Sequence, residues 1–367
     1  MPDSPKNASC VLIGADSLLM QCGEILIGRG FEIAAVVSKA DAVLDWARQH
    51  SLPTHAPGKK LRESLGDLEF DYLFSITNLS IIPEDVLSLA RVAAINFHDG
   101  PLPRYAGMYT PAWALLNGEE TYGVSFHDMH GEVDTGDLYV QRIFDVAAGD
   151  TSLSLNTRCF EMAMEAFDEL AERIATNTTA PTAQDLSQRS YFARHQRPAG
   201  GAICDWSKSA AEVDRLIRAL DFGTYENAFA AAKILHGGKT ILPGTSRVGG
   251  ETDAAAGTLV SIAGETWTIA CGDGNSIALS DLRCPLGHAL DGAAAAERMG
   301  IAEAGALDAP DAGLVARLDA FVDPATPREA SWVRRLPLPQ PAALPYPRSY
   351  PPATPVLGAA VGSRVVW

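Results

Sequence analysis

Val92-Ala93-Ala94-Ile95-Asn96-Phe97-His98-Asp99-Gly100-Pro101-Leu102-Pro103 is an apolar run closed by a turn of glycine and prolines. Short apolar runs bounded in this way read as buried strands, so Val92–Phe97 is expected to be a strand that ends in a sharp bend. Upstream, strand-like Cys10–Gly14 is followed by a helix at Ser17–Arg29 ending at Gly30, a strand at Glu32–Val37 and a helix at Asp41–His50. A strand at Asp71–Ile76 and a helix at Pro83–Ala90 come next. Downstream lie a helix at Tyr109–Asn117, β-rich runs at Gly123–Met129 and Leu138–Val146, and a helix at Leu153–Ile174. Such alternation predicts an α/β domain, a Rossmann-like wound sheet that is mainly parallel and has helices on both faces.

Beyond that helix the texture changes. Residues 176–187 are rich in Thr, Ala, Pro and Gln, and Arg189–Gly201 has no apolar periodicity, which is the composition of an interdomain linker. A helix is expected at Ala210–Ala219. Short strands with glycine-rich turns then follow around Lys239–Val248, Gly257–Ile262, Thr266–Cys271 and Ser276–Asp281, the pattern of a small OB-like barrel or sheet domain. From about residue 306 the chain is rich in Ala, Pro and Asp, with a helix-like piece at Gly313–Phe321 and a proline-dense, extended run at Leu336–Pro355. The expected organisation is a catalytic domain at 1–187, a linker at 188–204, a β-rich domain at 205–305 and a tail or junction at 306–367.

Composition narrows the function. Apolar residues make up 47% of the 367 and charged ones 20%, a globular balance long enough for two domains. The formal net charge of -16 repels a phosphate backbone at long range, so nucleic acid is not a general expectation. Six scattered cysteines, Cys10, Cys22, Cys159, Cys204, Cys271 and Cys284, form no C-x-x-C pair and read as reduced, mostly buried thiols. His127 and His130 lie three apart, which in a strand turns them to opposite sides, and no ligand set completes a metal site. The short apolar stretch Val11–Gly14 lacks a basic leader, and no stretch approaches a membrane span, so a cytoplasmic protein without metal or membrane is expected.

The chemistry-bearing residues sit at the end of the quoted strand. In a wound parallel sheet the carboxyl ends of the strands form the ligand crevice. Asn96 and His98 are two apart and share one side of a strand, so they can converge on one small polar group. Asp134, in the turn Val133-Asp134-Thr135-Gly136-Asp137, supplies a carboxylate that can reach the same crevice. Attack of an amine on a formamide-like carbonyl builds an oxyanion, which an amide N–H and an imidazole N–H can stabilise. A carboxylate beside an imidazole holds its orientation and helps strip the proton from the attacking nitrogen. Taken one at a time, Asn96 also reads as a strand-end hydrogen-bonding residue, His98 as a buried structural histidine, and Asp134 and Asp137 as ordinary turn residues.

As a composite these residues resemble a known family. Asn96-x-His98, Pro101-Leu102-Pro103, Tyr105-x-Gly107, Pro111-x-Trp113-Ala114, Gly118-Glu119, Gly123-Val124-Ser125 and Asp134-x-Gly136-Asp137 are similar to the signature of folate-dependent formyltransferases. Asp205-Trp206-Ser207-Lys208-Ser209-Ala210 resembles the opening of their C-terminal domain, so the resemblance spans about residues 8–290. It implies 10-formyltetrahydrofolate as the formyl donor, an amine as acceptor, and Asn96, His98 and Asp134 as the catalytic set. It also implies donor contacts from Ser80, Ile81 and Ile82, from Gly100, Pro101, Leu102 and Pro103, and from His130, Gly131, Glu132 and Val133. The variant Asp99-Gly100-Pro101, with Ser75-Ile76-Thr77-Asn78 and Arg218-Ala219-Leu220-Asp221-Phe222-Gly223, is more similar to the formylation domains of nonribosomal peptide synthetases than to the tRNA or sugar enzymes.

The resemblance therefore implies an aminoacyl group on a carrier protein, or a downstream synthetase module, as partner. Methionyl-tRNA, sugar-amine and hydroxylamine acceptors are the alternatives, tRNA being disfavoured by the acidity. A local basic cluster of Arg189, Arg194, His195 and Arg197 reads either as a solvated linker or as a phosphate contact. Hydrolysis of the donor and a purely partner-binding role are rival readings. A nicotinamide dehydrogenase is not favoured, because the first turn, Gly14-Ala15-Asp16-Ser17-Leu18-Leu19, has one glycine and an acidic residue where a pyrophosphate would sit.

Overall fold

The computed structural model describes residues 8–66, 68–225, 227–329 and 331. The chain divides between Arg194 and His195 into two compact units. The first is built from β1 (Ser9–Gly14), α1 (Ser17–Gly28), β2 (Glu32–Val37), α2 (Asp41–Gln49), β3 (Thr54–His55), α3 (Leu61–Leu65), β4 (Phe70–Ile76), α4 (Glu84–Leu87) and β5 (Ala90–His98). It continues with β6 (Ala106–Gly107), α5 (Thr110–Asn117), β7 (Thr121–Asp128), β8 (Leu138–Asp145), α6 (Ser152–Ala175) and β9 (Tyr191–Phe192).

Seven of these strands form one sheet in the order β3-β2-β1-β4-β5-β7-β8. The first five run parallel, while β7 and β8 add on antiparallel beside β5. The mainly parallel α/β reading therefore holds. Every residue of β1 is buried, as a strand covered on both faces must be. Gly14, the single glycine of the first turn, is there for packing: a Cβ would lie 1.8 Å from the Ile76 carbonyl oxygen of β4. On the α6 side of the sheet, Phe167 meets Phe74 edge-on at 5.2 Å and Phe126 at 5.4 Å.

Two expected elements differ. The helix expected at 83–90 is only the single turn α4, because Pro83 enters it in extended conformation and Ala90 already pairs with Phe70 as the first residue of β5. The strand expected at 239–248 is two, Lys239–Ile241 and Thr245–Glu251, interrupted by Pro243, which has no N–H to give a ladder.

The second unit holds α7 (Ala210–Ala219), begun by a reciprocal cap between Ser209 and Glu212. An antiparallel hairpin, β10 (Ile234–His236) and β11 (Lys239–Ile241), precedes a four-stranded antiparallel sheet. Its strands are β12 (Thr245–Glu251), β13 (Leu259–Ala263), β14 (Thr266–Ala270) and β15 (Asn275–Ser280), in the order β12-β15-β14-β13. Fully buried Trp267 anchors its core and donates to the Gly292 carbonyl oxygen at 2.9 Å. Helices α8 (Gly292–Met299) and α9 (Ala312–Ala325) complete the β-rich region. The proline-dense run at 336–355 and the junction Trp332-Val333-Arg334-Arg335-Leu336 lie outside the described residues.

Candidate active site

β5 is the strand from which the site is made. Its parallel partner β4 places Ser75 opposite Asn96, and its antiparallel partner β7 places His127 opposite Asn96 and Ser125 opposite His98. The alternation of the strand turns Asn96 and His98 to one side.

His98 is 5% exposed, and its Nε2 lies 2.7 Å from the backbone carbonyl oxygen of Tyr105. A carbonyl only accepts, so Nε2 carries the proton of that bond and Nδ1 is the nitrogen left for chemistry. Two carboxylates flank Nδ1, Asp134 Oδ2 at 3.8 Å and Asp99 Oδ1 at 3.9 Å. Both distances exceed hydrogen-bond length, so the carboxylates act on the ring through charge, and in the protonated ring the Nδ1–H is left for a substrate oxygen.

Asp134 is 8% exposed and adopts a left-handed conformation with φ 59°, unusual for a residue with a Cβ. Its Oδ2 accepts the Gly107 N–H at 2.8 Å and its Oδ1 lies 3.5 Å from His127 Nε2. Burial opposes its charge, but the His98 ring, the hydrogen bond and charge of His127 and the Gly107 N–H outweigh it. They hold the carboxyl well below the usual carboxylate range. Gly107 is required where it stands, since its φ is 103° and a Cβ would strike the Phe192 carbonyl oxygen at 2.1 Å.

His127 is a site residue that the sequence did not reveal. It is 2% exposed, with Nδ1 2.8 Å from the Asp128 carbonyl oxygen and Nε2 3.2 Å from Asn96 Nδ2. Nδ1 donates to that carbonyl, and Nε2 stands between Asn96 Nδ2 and Asp134 Oδ1: the neutral ring accepts an Asn96 N–H there, and the protonated ring donates to the carboxylate. The sequence signal for His127 would have been its register opposite Asn96, which only the antiparallel pairing discloses. His130 lies beyond β7 and pairs with Asp128 at 3.1 Å, remote from the role of His127.

The segment after α6, expected to be part of the linker from residue 188, instead binds the first unit. Gln184 Nε2 donates to the carbonyl oxygens of Asp134 at 3.1 Å and Gly136 at 2.6 Å, holding the strained turn. Ser190 Oγ accepts the Tyr105 N–H at 2.8 Å, and β9 pairs in parallel with β6. The Phe192 ring stacks on Tyr105 at 5.3 Å and on Trp113 at 5.0 Å. Tyr105, whose carbonyl orients His98, is itself left-handed at φ 57° and is thus held from three directions.

The other residues singled out from sequence are placed as follows. Gly100, Pro101, Leu102 and Pro103 form the turn after β5, whose backbone is braced from within. Ser125 Oγ donates to the Gly100 carbonyl oxygen at 2.8 Å and accepts the Leu102 N–H at 3.2 Å, and Gln141 donates to the Leu102 carbonyl oxygen at 2.8 Å. Ser80, Ile81 and Ile82 follow β4, with Ile81 87% exposed and Ile82 packed on the core that Met129 also joins. His130, Gly131, Glu132 and Val133 lead into Asp134. Arg189 donates to the Val133 carbonyl oxygen at 3.0 Å and stacks on Tyr191, while Arg194 donates to the Leu79 carbonyl oxygen at 3.4 Å. The three arginines of the basic cluster are thus engaged by protein, Arg197 pairing with Glu329 in the second unit. Among the described residues no group of three His, Cys, Asp or Glu side chains is arranged to hold a metal ion, and no helix is long and apolar enough to cross a membrane.

Comparison with known proteins identifies the family. The formyl transferase family model matches residues 29–170, and the formyl transferase C-terminal domain model matches residues 200–299, together more than half of the chain. This chain belongs to the formyltransferase family and is an enzyme of that class. Its fold is similar to that of an N-formyltransferase from Helicobacter canadensis solved with folinic acid and dTDP-3-aminofucose. The TM-score is 0.60 at 20% identity, covering 75% of this chain and 99% of that one. It is also similar to WlaRD, a sugar 3N-formyl transferase solved with dTDP and 5-N-formyl-THF, with TM-score 0.61 and 20% identity over 76% of this chain and 98% of the other. HypX from Aquifex aeolicus, solved with tetrahydrofolic acid, matches with TM-score 0.58 and 19% identity over 81% of this chain but only 49% of its own length.

Proposed function

We propose that this chain moves the formyl group of 10-formyltetrahydrofolate to the amino group of an aminoacyl residue on a carrier protein. The carrying observation is the Nδ1 edge of His98. It is turned away from the Tyr105 carbonyl, lies on the same side of β5 as the Asn96 amide, and is flanked by carboxylates. That arrangement suits an oxygen that gains charge as a nitrogen attacks its carbon. The donor supplies a formyl group already activated on nitrogen, and the chemistry requires no metal. Leu79, Ile81 and Val133, exposed by 66, 87 and 46%, give the loops beside Asn96 and Asp134 an apolar surface suited to a flat ring. Ser80–Ile82, Gly100–Pro103 and His130–Val133 are the segments proposed to meet the pterin; the folates in the solved formyltransferases and HypX support a folate as donor.

The acceptor is inferred from what surrounds that core. Asp99-Gly100-Pro101 and Arg218–Gly223 resemble the peptide-synthetase type, and the chain runs on past the matched C-terminal domain at residue 299. The acidity of the chain disfavours tRNA. Six free, buried cysteines suit a reducing cytoplasmic setting. Intact-mass analysis tests the reading: the full chain is incubated with 10-formyltetrahydrofolate and aminoacyl-carrier protein, methionyl-tRNA or a nucleotide amino-sugar. Gain of one formyl unit on the carrier is expected. Formylation of tRNA or sugar with an unmodified carrier overturns the acceptor, and formate release without any adduct overturns transfer.

A further inference from the structure

The two carboxylates beside His98 are not equivalent. Asp134 is buried, held on a left-handed backbone by Gln184, and its oxygens take the Gly107 N–H and face His127. Asp99 lies on the opposite footing. A third of its side-chain surface reaches solvent, and among the described residues the only side chain that donates to its carboxyl is Thr110, weakly, at 3.4 Å. Its backbone is nonetheless fixed, because Tyr122 OH and Thr110 Oγ1 both donate to its carbonyl oxygen, at 2.7 and 3.1 Å.

Resting on the formyl-transfer reading above, we propose that Asp99 is a further catalytic residue: its carboxylate exchanges the proton of the acceptor amine, while Asp134 remains a fixed counter-charge to His98. The amine lone pair bonds to the formyl carbon as the carbonyl pair moves onto the oxygen held by Asn96 and His98, and the nitrogen's proton passes to Asp99. When that pair returns, the bond from carbon to the donor nitrogen breaks. The donor nitrogen keeps the electrons and takes the proton from the Asp99 carboxyl, so the products are a formamide, deformylated donor and regenerated Asp99 carboxylate.

The groups that face Asp99 are consistent with a proton that comes and goes. His98 and Asp134 lie on its site side, Tyr122 on β7 and Thr110 on α5 brace it, and the buried Cys159 thiol on α6 senses its charge. Loss of hydration pushes its carboxyl above the ordinary aspartate value. The His98 charge and Thr110 oppose this and repulsion from Asp134 adds to it, so its affinity for a proton moves opposite to that of Asp134.

The test uses the full chain with 10-formyltetrahydrofolate and hydroxylamine as the amine probe, alongside the acceptor found by intact mass. Single-turnover rates are measured across pH for wild type, Asp99→Asn and Asp99→Glu. Asp99→Asn is expected to lose about 10²-fold in rate, with donor KM within about threefold and the acid limb flattened. Asp99→Glu is expected to recover part of the rate with a displaced limb. Carbon-13 NMR of aspartate-labelled protein, assigned by the resonance lost in Asp99→Asn, should show this carboxyl titrating above the ordinary aspartate value. A rate within threefold of wild type on an unchanged limb, or a carboxyl titrating at or below that value, overturns the assignment. Wild-type protein that transfers to no amine overturns the formyl-transfer reading instead, and the NMR titration still decides the ionisation of Asp99.

Discussion

Asp134 in the first unit and Lys233 in the second are both charged side chains drawn out of water, and the chain treats them in opposite ways. Asp134 is met by a backbone N–H, a histidine contact and the His98 ring, which outweigh burial and keep it ionised. Lys233 finds two backbone carbonyls, Gly201 at 2.6 Å and Ala231 at 2.9 Å. Burial, opposed only by nearby Cys204, pushes its ammonium down to about 8. Donors brought from several elements, across strained backbone, mark a charge the fold is built to keep. A buried charge met only by adjacent carbonyls is a structural compromise.

The comparison breaks first at the proposed catalytic set. Asn96→Ala, His98→Ala and Asp134→Ala are each expected to reduce single-turnover transfer by about 10²-fold or more with melting temperatures near that of wild type. Near-normal rates in two of the three end the assignment. The pH profile sharpens it further. Because the Asp134 carboxyl is held far down, its charge is lost only when pH falls through that depressed value, so it stays ionised throughout the range from about pH 5 to pH 9. The expected loss of rate on acidification therefore belongs to the acceptor amine and to Asp99. Asp134→Asn should lower the rate and, by removing the repulsion that raises Asp99, shift the acid limb to lower pH, whereas outright loss of the limb in Asp134→Asn transfers the working proton to that residue.

Those three residues were singled out by a composite motif that resembles a family signature, and the structure brings them together, Asn96 and His98 along β5 and Asp134 3.8 Å from the His98 ring. The supporting residues were not. His127 looked like half of an implausible metal pair, since its partner Asn96 is 31 positions away and is reached only through antiparallel register. Residues 182–192 have the composition of a linker, yet their contributions are a Gln amide, a Ser hydroxyl, backbone N–H and C=O groups and one aromatic face. Apolar periodicity cannot register a segment that works through two-residue pairings. Short α4 and the break at Pro243 show the same limit, as propensity was overridden by what each neighbouring strand needed to bond.

That strap gives the next prediction. Gln184→Ala frees the Asp134 turn and Phe192→Ala removes the ring that Tyr105 and Trp113 lean on, so each is expected to reduce the rate about tenfold, a change near 1.4 kcal/mol. His127→Ala, which releases Asn96, should fall in the same range. Single-turnover kinetics on correctly folded protein separate this from simple loss of active chain. Rates within twofold of wild type in all three variants reduce the strap and His127 to packing.

The smallest effect concerns Lys233 and is read in stability rather than rate. An unfolded lysine holds its proton to a higher pH than this one does, so between about 8 and the ordinary lysine value of 10.5 the unfolded chain binds more protons than the folded one. Stability of the second unit must then rise with pH across that window, by the sign of the linkage relation. The side chain is only partly shielded, so the gain is expected to be on the order of 1 kcal/mol. Other groups titrate in the same range, among them Tyr and Cys side chains, so the contrast with Lys233→Met isolates the term. Hydrogen exchange of β14 and β15 amides, which follow the second unit alone, should slow from pH 8 to pH 10 in wild type relative to the variant once the intrinsic rate is divided out. Parallel pH dependence in the two proteins shows that this ammonium is not titrating early, and that the two buried charges are held equally well.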